Sequence, residues 1–385
     1  MRKLSFFLAA LLGLVLLTGC DDSHGTPETS NDKRWWAGED GSALYGYIDE
    51  NGKMAISANY DNVFPFSCGW AWVYGDGEAQ FIDKEGKSVI PDPFPWDGFF
   101  YYNRIRFKED GKWGMYDENW KVAIPADYKS LGVCTEDGLI AFSEDGKEYG
   151  YLDKDGKVAI PEQFNEASNF AGGIAVVEDE NGHYGVIDKK GNFLIDYQKK
   201  SLSNLGEGRV YFLNSNTGKY GVWDKNGNEI ISAKYDDIYP FTCGMARVKK
   251  NDKWGYINTK GEEVIPCRYY DCWEFYSDVA DVQKSEDSRW EIIDKKGESL
   301  ITLKENEVLG NYFINGLGLV HNKLTNQYRY ITKKNEIIYK WEEPVSEEMP
   351  EKRMSPEERR MQFMLSTEYG PLFRNMMRKD NRPLR

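Results

Sequence analysis

The sequence predicts an all-β protein: nine antiparallel meander repeats of ~35 residues, stacked as a β-propeller-like ring or an open superhelix, with a short helical C-terminal tail. Three observations carry this prediction. A strand-like segment, aromatic-Gly-aromatic-Ile-Asp, recurs nine times at spacings of 34 to 38 residues; its Gly stands at 46, 114, 150, 185, 221 and 255, with Gln80, Glu291 and Arg329 as in-register deviants. Ten residues on comes an isoleucine, at 56, 90, 124, 160, 195, 231, 265 and 301, and only Tyr339 departs. Between them, six residues after the first Gly position, a second Gly occupies 52, 86, 156, 191, 227, 261 and 297, with Asn335 as a left-handed-tolerant substitute and Trp120 as the exception. A fixed period of this length decides the architecture, because each unit alone buries too little to be stable.

In chain order, residues 1–19 read as a signal peptide. Arg2 and Lys3 precede an apolar run from Leu4 to Leu17 that is too short for a spanning helix. The run ends in Leu17-Thr18-Gly19-Cys20, which resembles a bacterial lipobox; the resemblance implies cleavage before Cys20 and lipidation of that residue. Residues 20–33 then form the anchor and a polar tether without aliphatic side chains. The repeat domain occupies residues 34–341. Within one repeat, Lys253 to Asn258 and Glu262 to Pro266 are strands joined through Thr259-Lys260-Gly261, a short hairpin loop whose Gly takes positive φ. The Asp ahead of each loop (49, 83, 117, 153, 188, 224, 294) is placed to bond the turn amides. A third strand follows each hairpin with the pattern Phe-x-x-Gly-x-small-x-Val, as in Phe241 to Val248, and its alternation has the strand period. Tyr60-Asp61-Asn62-Val63 and Tyr235-Asp236-Asp237-Ile238 mark a short extended segment between, so each unit has three strands or four. Val264 and Ile265 are both apolar although neighbours point to opposite faces, which predicts that both faces of each sheet are covered. Residues 342–385 leave the pattern and read as a charged helical tail or cap, opened by Ser355-Pro356-Glu357-Glu358.

Trp254-Gly255-Tyr256-Ile257-Asn258 through Val264-Ile265-Pro266 resembles the WG repeat, a family of bacterial all-β repeats, and nine copies in register extend the likeness from about Leu44 to Trp341. The resemblance implies a scaffold and brings no catalytic residues with it. Nine copies exceed the four to eight blades usual in propellers, so ring and superhelix both stand at this point.

Charge and composition narrow the function. The formal charge of −14 becomes −16 once Arg2 and Lys3 are removed, an acidic body that disfavours nucleic acid. The three histidines, His24, His183 and His321, share no element at ligand spacing, and the sequence points to no metal and no cofactor. Asp153-Lys154-Asp155-Gly156 is a hairpin turn, since Val158, Ala159 and Ile160 stand where calcium ligands would follow. Five cysteines besides Cys20 cannot all pair, and Cys68 and Cys243 share one repeat position, which favours packing over chemistry. No nucleophile elbow or phosphate loop is present. Aromatic residues outside the consensus are the better lead: flat rings stack on sugars and anchor peptides, which makes Trp70, Trp72, Trp96 and Trp273 binding candidates beside their alternative role in inter-repeat packing. The resulting expectation is a non-enzymatic envelope lipoprotein, in the outer membrane and facing the surface, that binds a protein or glycan partner. Its alternatives are a carbohydrate-active hydrolase on a propeller-like body and a purely structural envelope protein.

Overall fold

A computed structural model describes residues 35–38 and 44–342 apart from 50, 65, 199–200, 311–312, 314–315 and 326. Signal peptide, Cys20, tether and helical tail lie outside the described residues. Among those described the chain is all β, with nine small antiparallel sheets at residues 35–60, 62–89, 104–128, 130–164, 166–198, 202–235, 237–269, 271–302 and 307–342. Each sheet is built from consecutive strands, and most have four: a short strand, two longer ones and a final strand.

The phase of the unit differs from the expectation. The strand after each Phe-x-x-Gly does not pair back onto the preceding hairpin; Met245–Lys250 pairs with Lys253–Asn258, the first strand of the next one. The reason is the turn. Phe-x-x-Gly is not strand but a two-residue reversal with both central residues at positive φ, as at Cys68 (51°) and Gly69 (83°) or Cys243 (55°) and Gly244 (75°). This is the turn geometry whose twist matches antiparallel strands, and it folds the short strand Asp237–Ile238 onto Met245–Lys250.

The hairpin loops behave as expected. Every predicted turn Gly has φ between 78° and 82°, and Asn335 and even Trp120 adopt 62°. Asp49 Oδ1 accepts the amides of Asn51 and Lys53 at 2.9 Å each, and Asp83, Asp117, Asp153, Asp188, Asp224, Asn258 and Asp294 repeat the arrangement. The Asp153 loop is therefore one turn among eight alike.

The first Gly of each repeat has a different cause. At Gly255 an added Cβ would lie 2.5 Å from the Ile265 carbonyl oxygen and 2.6 Å from the Cys267 nitrogen; at Gly46, Gly150 and Gly221 the same carbonyl ten residues on would lie 2.3 to 2.6 Å away. The final strand bulges over this Gly, so Trp254 pairs with Tyr269 but Tyr256 with Ile265. Where the Gly is missing the bulge is missing too: across Arg329 the pairing runs unbroken from Gln327↔Glu342 to Tyr330↔Tyr339. Gly and Ile thus recur together because one accommodates the backbone of the other.

Adjacent sheets pack face to face. Ala246, Val248 and Ile257 of the seventh sheet join the sixth sheet's Tyr211, Tyr220, Val222 and Ile231, while Tyr256 and Ile265 join the eighth sheet's Cys272, Phe275, Val282 and Ile293. Both faces are covered, as expected, but not through Val264, which is 38% exposed on the outer strand beside fully packed Ile265. The stack closes. Ile48 and Met54 of the first sheet pack on Leu317, Leu319, Tyr330 and Trp341 of the ninth, so the array is a propeller-like ring and not an open superhelix.

Candidate functional site

The middle strands carry, besides their two buried rows, a set of side chains that differs from sheet to sheet. In the third sheet Arg106 stands between buried Ile105 and Phe107 and points the other way. Its guanidinium donates through Nε and Nη2 to Asp97 Oδ2 (2.8 Å) and Oδ1 (2.9 Å), and through Nη1 to the Leu131 carbonyl of the next sheet (2.9 Å). It lies 5.1 Å from the Trp113 ring; Lys108 Nζ lies 4.9 Å from the same ring and 5.9 Å from that of Trp96. Trp96 and Trp113 meet edge to face at 5.6 Å. The Trp96 amide donates to the Arg106 carbonyl, which fixes the loop 94–97 beside the strand.

The seventh sheet repeats this position by position. Arg247 donates to the Cys272 carbonyl of the next sheet at 2.6 Å, lies 5.0 Å from Trp254, and is followed by Lys249 at 5.7 Å from that ring. Tyr239 takes the place of Trp96, its amide on the Arg247 carbonyl and its ring 3.7 Å from the guanidinium. The carboxylate now comes from the following sheet, with Glu274 Oε1 2.8 Å from Arg247 Nε. Burial works against the charge on both arginines, and the facing carboxylate of Asp97 or Glu274 outweighs it, so both pKa values are raised and both guanidinium groups stay charged.

The copies differ in what covers them. Beside Arg247 the next sheet places the Trp273 ring 5.4 Å away, and Arg247 and Glu274 are each only 5% exposed. At the position of Trp273 the fourth sheet has Gly132, whose amide makes the equivalent bond to Ala141. The Arg106 side chain is 23% exposed, and Trp96, edge-on to the same Trp113, is 58% exposed.

Of the sequence-predicted binding residues Trp96 is the exposed one, while Trp70 and Trp72 are half-buried and Trp273 is buried. Trp70 donates its indole N–H to the Glu118 carbonyl (2.9 Å) and packs edge-on to Trp120 at 5.3 Å. Trp72 lies 4.4 Å from Phe64 in a cluster with Phe99. Trp273 is 7% exposed and its carbonyl accepts from Tyr256 Oη at 2.6 Å. Arg106 and Arg247 were not singled out from sequence. The signal was Arg-Phe-Lys and Arg-Val-Lys, each starting seven residues ahead of a repeat Trp, visible only when the variable positions of the repeats are aligned with one another.

The five described cysteines are thiols outside any disulfide. Burial pushes the Cys134 and Cys267 thiols up to about 11 and Cys272 higher still, so all three are protonated at neutral pH and poor nucleophiles. Among the described residues no three His, Cys, Asp or Glu side chains are grouped to hold a metal ion, and no helix is long and apolar enough to cross a membrane.

The profile of the WG containing repeat matches residues 45–77, 113–147, 149–182, 220–254 and 254–286. No curated protein matches the chain. Similar solved structures include BamB from Moraxella catarrhalis (12% identity, 63% of this chain and 86% of that chain, TM-score 0.38). The dihydro-heme d1 dehydrogenase NirN (12%, 81% and 74%, 0.41) and AztD from Citrobacter koseri (11%, 80% and 94%, 0.35) are others. Likeness at this level supports no conclusion about ligand or activity.

Proposed function

We propose, from the premise that this chain is built of WG-containing repeats, that it is a non-enzymatic binding scaffold held at the bacterial envelope by lipid on Cys20, with residues 21–33 as tether and the ring as the ligand-bearing body. The outer membrane, surface side, is the proposed location. One observation carries the binding reading: a tryptophan more than half exposed stands against Trp113 and Lys108, next in sequence to the Asp97 that pairs with Arg106. An indole in water without a partner ring on its open side is a standing loss of apolar burial, and a ligand that covers it recovers that energy.

The test is capture by the full-length, detergent-solubilised protein from envelope extracts and from defined glycans, scored both for saturation and for product release. Saturable capture that Trp96→Ala removes, without turnover, supports the scaffold. Release of shortened glycan products would transfer the reading to a hydrolase on the same ring, and capture unaffected by Trp96→Ala would dissociate binding from this face.

A further inference from the structure

Resting on that scaffold reading, we infer that the uncovered face of the third sheet is a glycan site that takes a single pyranose ring on Trp96, with Lys108, Arg106 and Asp97 hydrogen-bonding its hydroxyls. The protein supplies its own comparison. In the seventh sheet the equivalent Arg247 has Tyr239 on it, Trp254 beside it and Trp273 facing it from the next sheet. Beside Arg106 stands Trp113, with Trp96 edge-on to that ring, and at the position of Trp273 is Gly132, which brings no ring. A sugar ring stacked on the exposed Trp96 adds a third ring beside the Trp96–Trp113 pair.

The polar inventory fits a sugar. A guanidinium has five N–H donors; Arg106 directs three of them to Asp97 and Leu131, which leaves two, and its orientation is fixed by the bidentate pair. Asp97 accepts two bonds from that guanidinium and a longer one, 3.3 Å, from the Arg106 amide, out of about four acceptor positions. Lys108 is exposed and holds its ammonium over the Trp96–Trp113 pair. Donors and an acceptor beside one flat apolar ring match a pyranose, which has an apolar face of C–H groups and a rim of hydroxyls that both donate and accept. A folded protein partner fits less well: such interfaces bury about 800 Å² per side around an apolar core, and the residues along this strand and its turn, Lys108, Glu109, Asp110, Gly111 and Lys112, are exposed and polar or, for Gly111, without a side chain.

The experiment is isothermal titration of the full-length protein in detergent with cello-, malto-, manno- and chito-oligosaccharides, for wild type, Trp96→Ala, Trp96→Phe, Lys108→Ala and Tyr270→Ala. Expected is saturable binding of at least one series, weakened about tenfold or more by Trp96→Ala and less by Trp96→Phe, which keeps a stacking ring. Tyr270→Ala removes another exposed aromatic, 42% exposed in the link between the seventh and eighth sheets, and should leave binding unchanged. Equal melting curves for the variants establish that folding is intact. Absence of saturable binding to every series, or sugar binding that survives Trp96→Ala, overturns the inference. Capture of an envelope protein that Trp96→Ala abolishes, with no sugar bound, overturns the glycan site while the scaffold stands; if neither sugar nor protein binds, both fall.

Discussion

Gly255→Ala tests the account of the repeat most directly. A methyl carbon needs about 3.5 Å from surrounding heavy atoms, and at this position it would stand 2.5 Å from the Ile265 oxygen, 2.6 Å from the Cys267 nitrogen and 2.7 Å from the Pro266 carbon. All three are backbone, so no side-chain rotation relieves them, and the final strand Glu263–Tyr269 must retreat by about 1 Å. Overpacking of this kind costs about 1–3 kcal/mol, and a strand moved that far weakens one or two ladder bonds worth about 1 kcal/mol each. The expected loss is therefore about 3 kcal/mol, or about 6 °C at roughly 2 °C per kcal/mol for a body of this size. Urea midpoints and thermal melts of the purified protein read it. The control is Gln80→Ala, the same repeat position in a sheet whose final strand, Ser88–Val89, pairs only with Phe81 and Ile82; it should stay within about 0.5 kcal/mol. If Gly255→Ala melts with wild type, or if Gln80→Ala costs as much, the bulge is not why glycine recurs.

Three other outcomes follow from the same structure. Ile265→Ala should cost about 2–5 kcal/mol by leaving a cavity between the seventh and eighth sheets, and Gly261→Val should also destabilise, since its Cβ would lie 2.7 Å from Ile231 Cγ1 at φ +82°; Lys260→Ala, at an exposed turn position, should be nearly silent, and unfolding midpoints in another order would sink the register. Glu307 is held below its usual 4.5: burial works to raise it, and the hydrogen bonds from Arg329 and the Lys304 amide, with the Arg329 charge, outweigh that. Its stabilising contribution, about 2 kcal/mol, is thus complete above 4.5 and lost as pH falls through the lower folded value, so the gap between wild type and Glu307→Gln should narrow only below about pH 4.5; a gap constant down to unfolding would refute the pairing. Cys20→Ala should move the protein from the detergent phase to the aqueous phase with its β-signal unchanged, and a mutant that still partitions with detergent would contradict lipid anchoring.

Most of the fold was legible because the features that specify it recur. The turn glycines, the Asp that bonds the turn amides and the isoleucine row each appear in seven or eight copies, so chance is excluded by repetition. Two things were not legible. The phase was hidden because Phe-x-x-Gly-x-small-x-Val has the alternation of a strand throughout, while only its last half is one; Cys68 and Cys243 adopt positive φ, for which no sequence preference of cysteine gives warning. The site was hidden because it is made of departures from the repeat. Arg106 and Arg247 are ordinary as single residues, and their partners are drawn from different places, Asp97 ahead of the strand and Glu274 behind it. Exposure separated Trp96 from Trp70, Trp72 and Trp273, and exposure is set by packing against other repeats, which no single position of the sequence displays.

Closure of the ring follows from those same repeated parts. No sheet mixes strands from the two ends of the repeat domain: the first uses only residues 35–60 and the ninth only 307–342. The seam is nevertheless built like an internal interface. A Cβ at Gly52 would lie 2.4 Å from the Ile338 oxygen, just as one at Gly261 would lie 3.1 Å from the Ile230 oxygen, so the first hairpin turn sits on the ninth sheet as the later glycine turns sit on their predecessors. A superhelix would leave Ile48 on one end and Leu317, Leu319, Tyr330 and Trp341 on the other in water, and each such side chain gains about 1.5–3 kcal/mol when buried, as an upper estimate. The opposing cost of joining the ends grows only with the logarithm of chain length. Nine sheets close because the last face of the ninth packs on the first face of the first as neighbouring sheets do, and among the described residues no shared strand holds the seam.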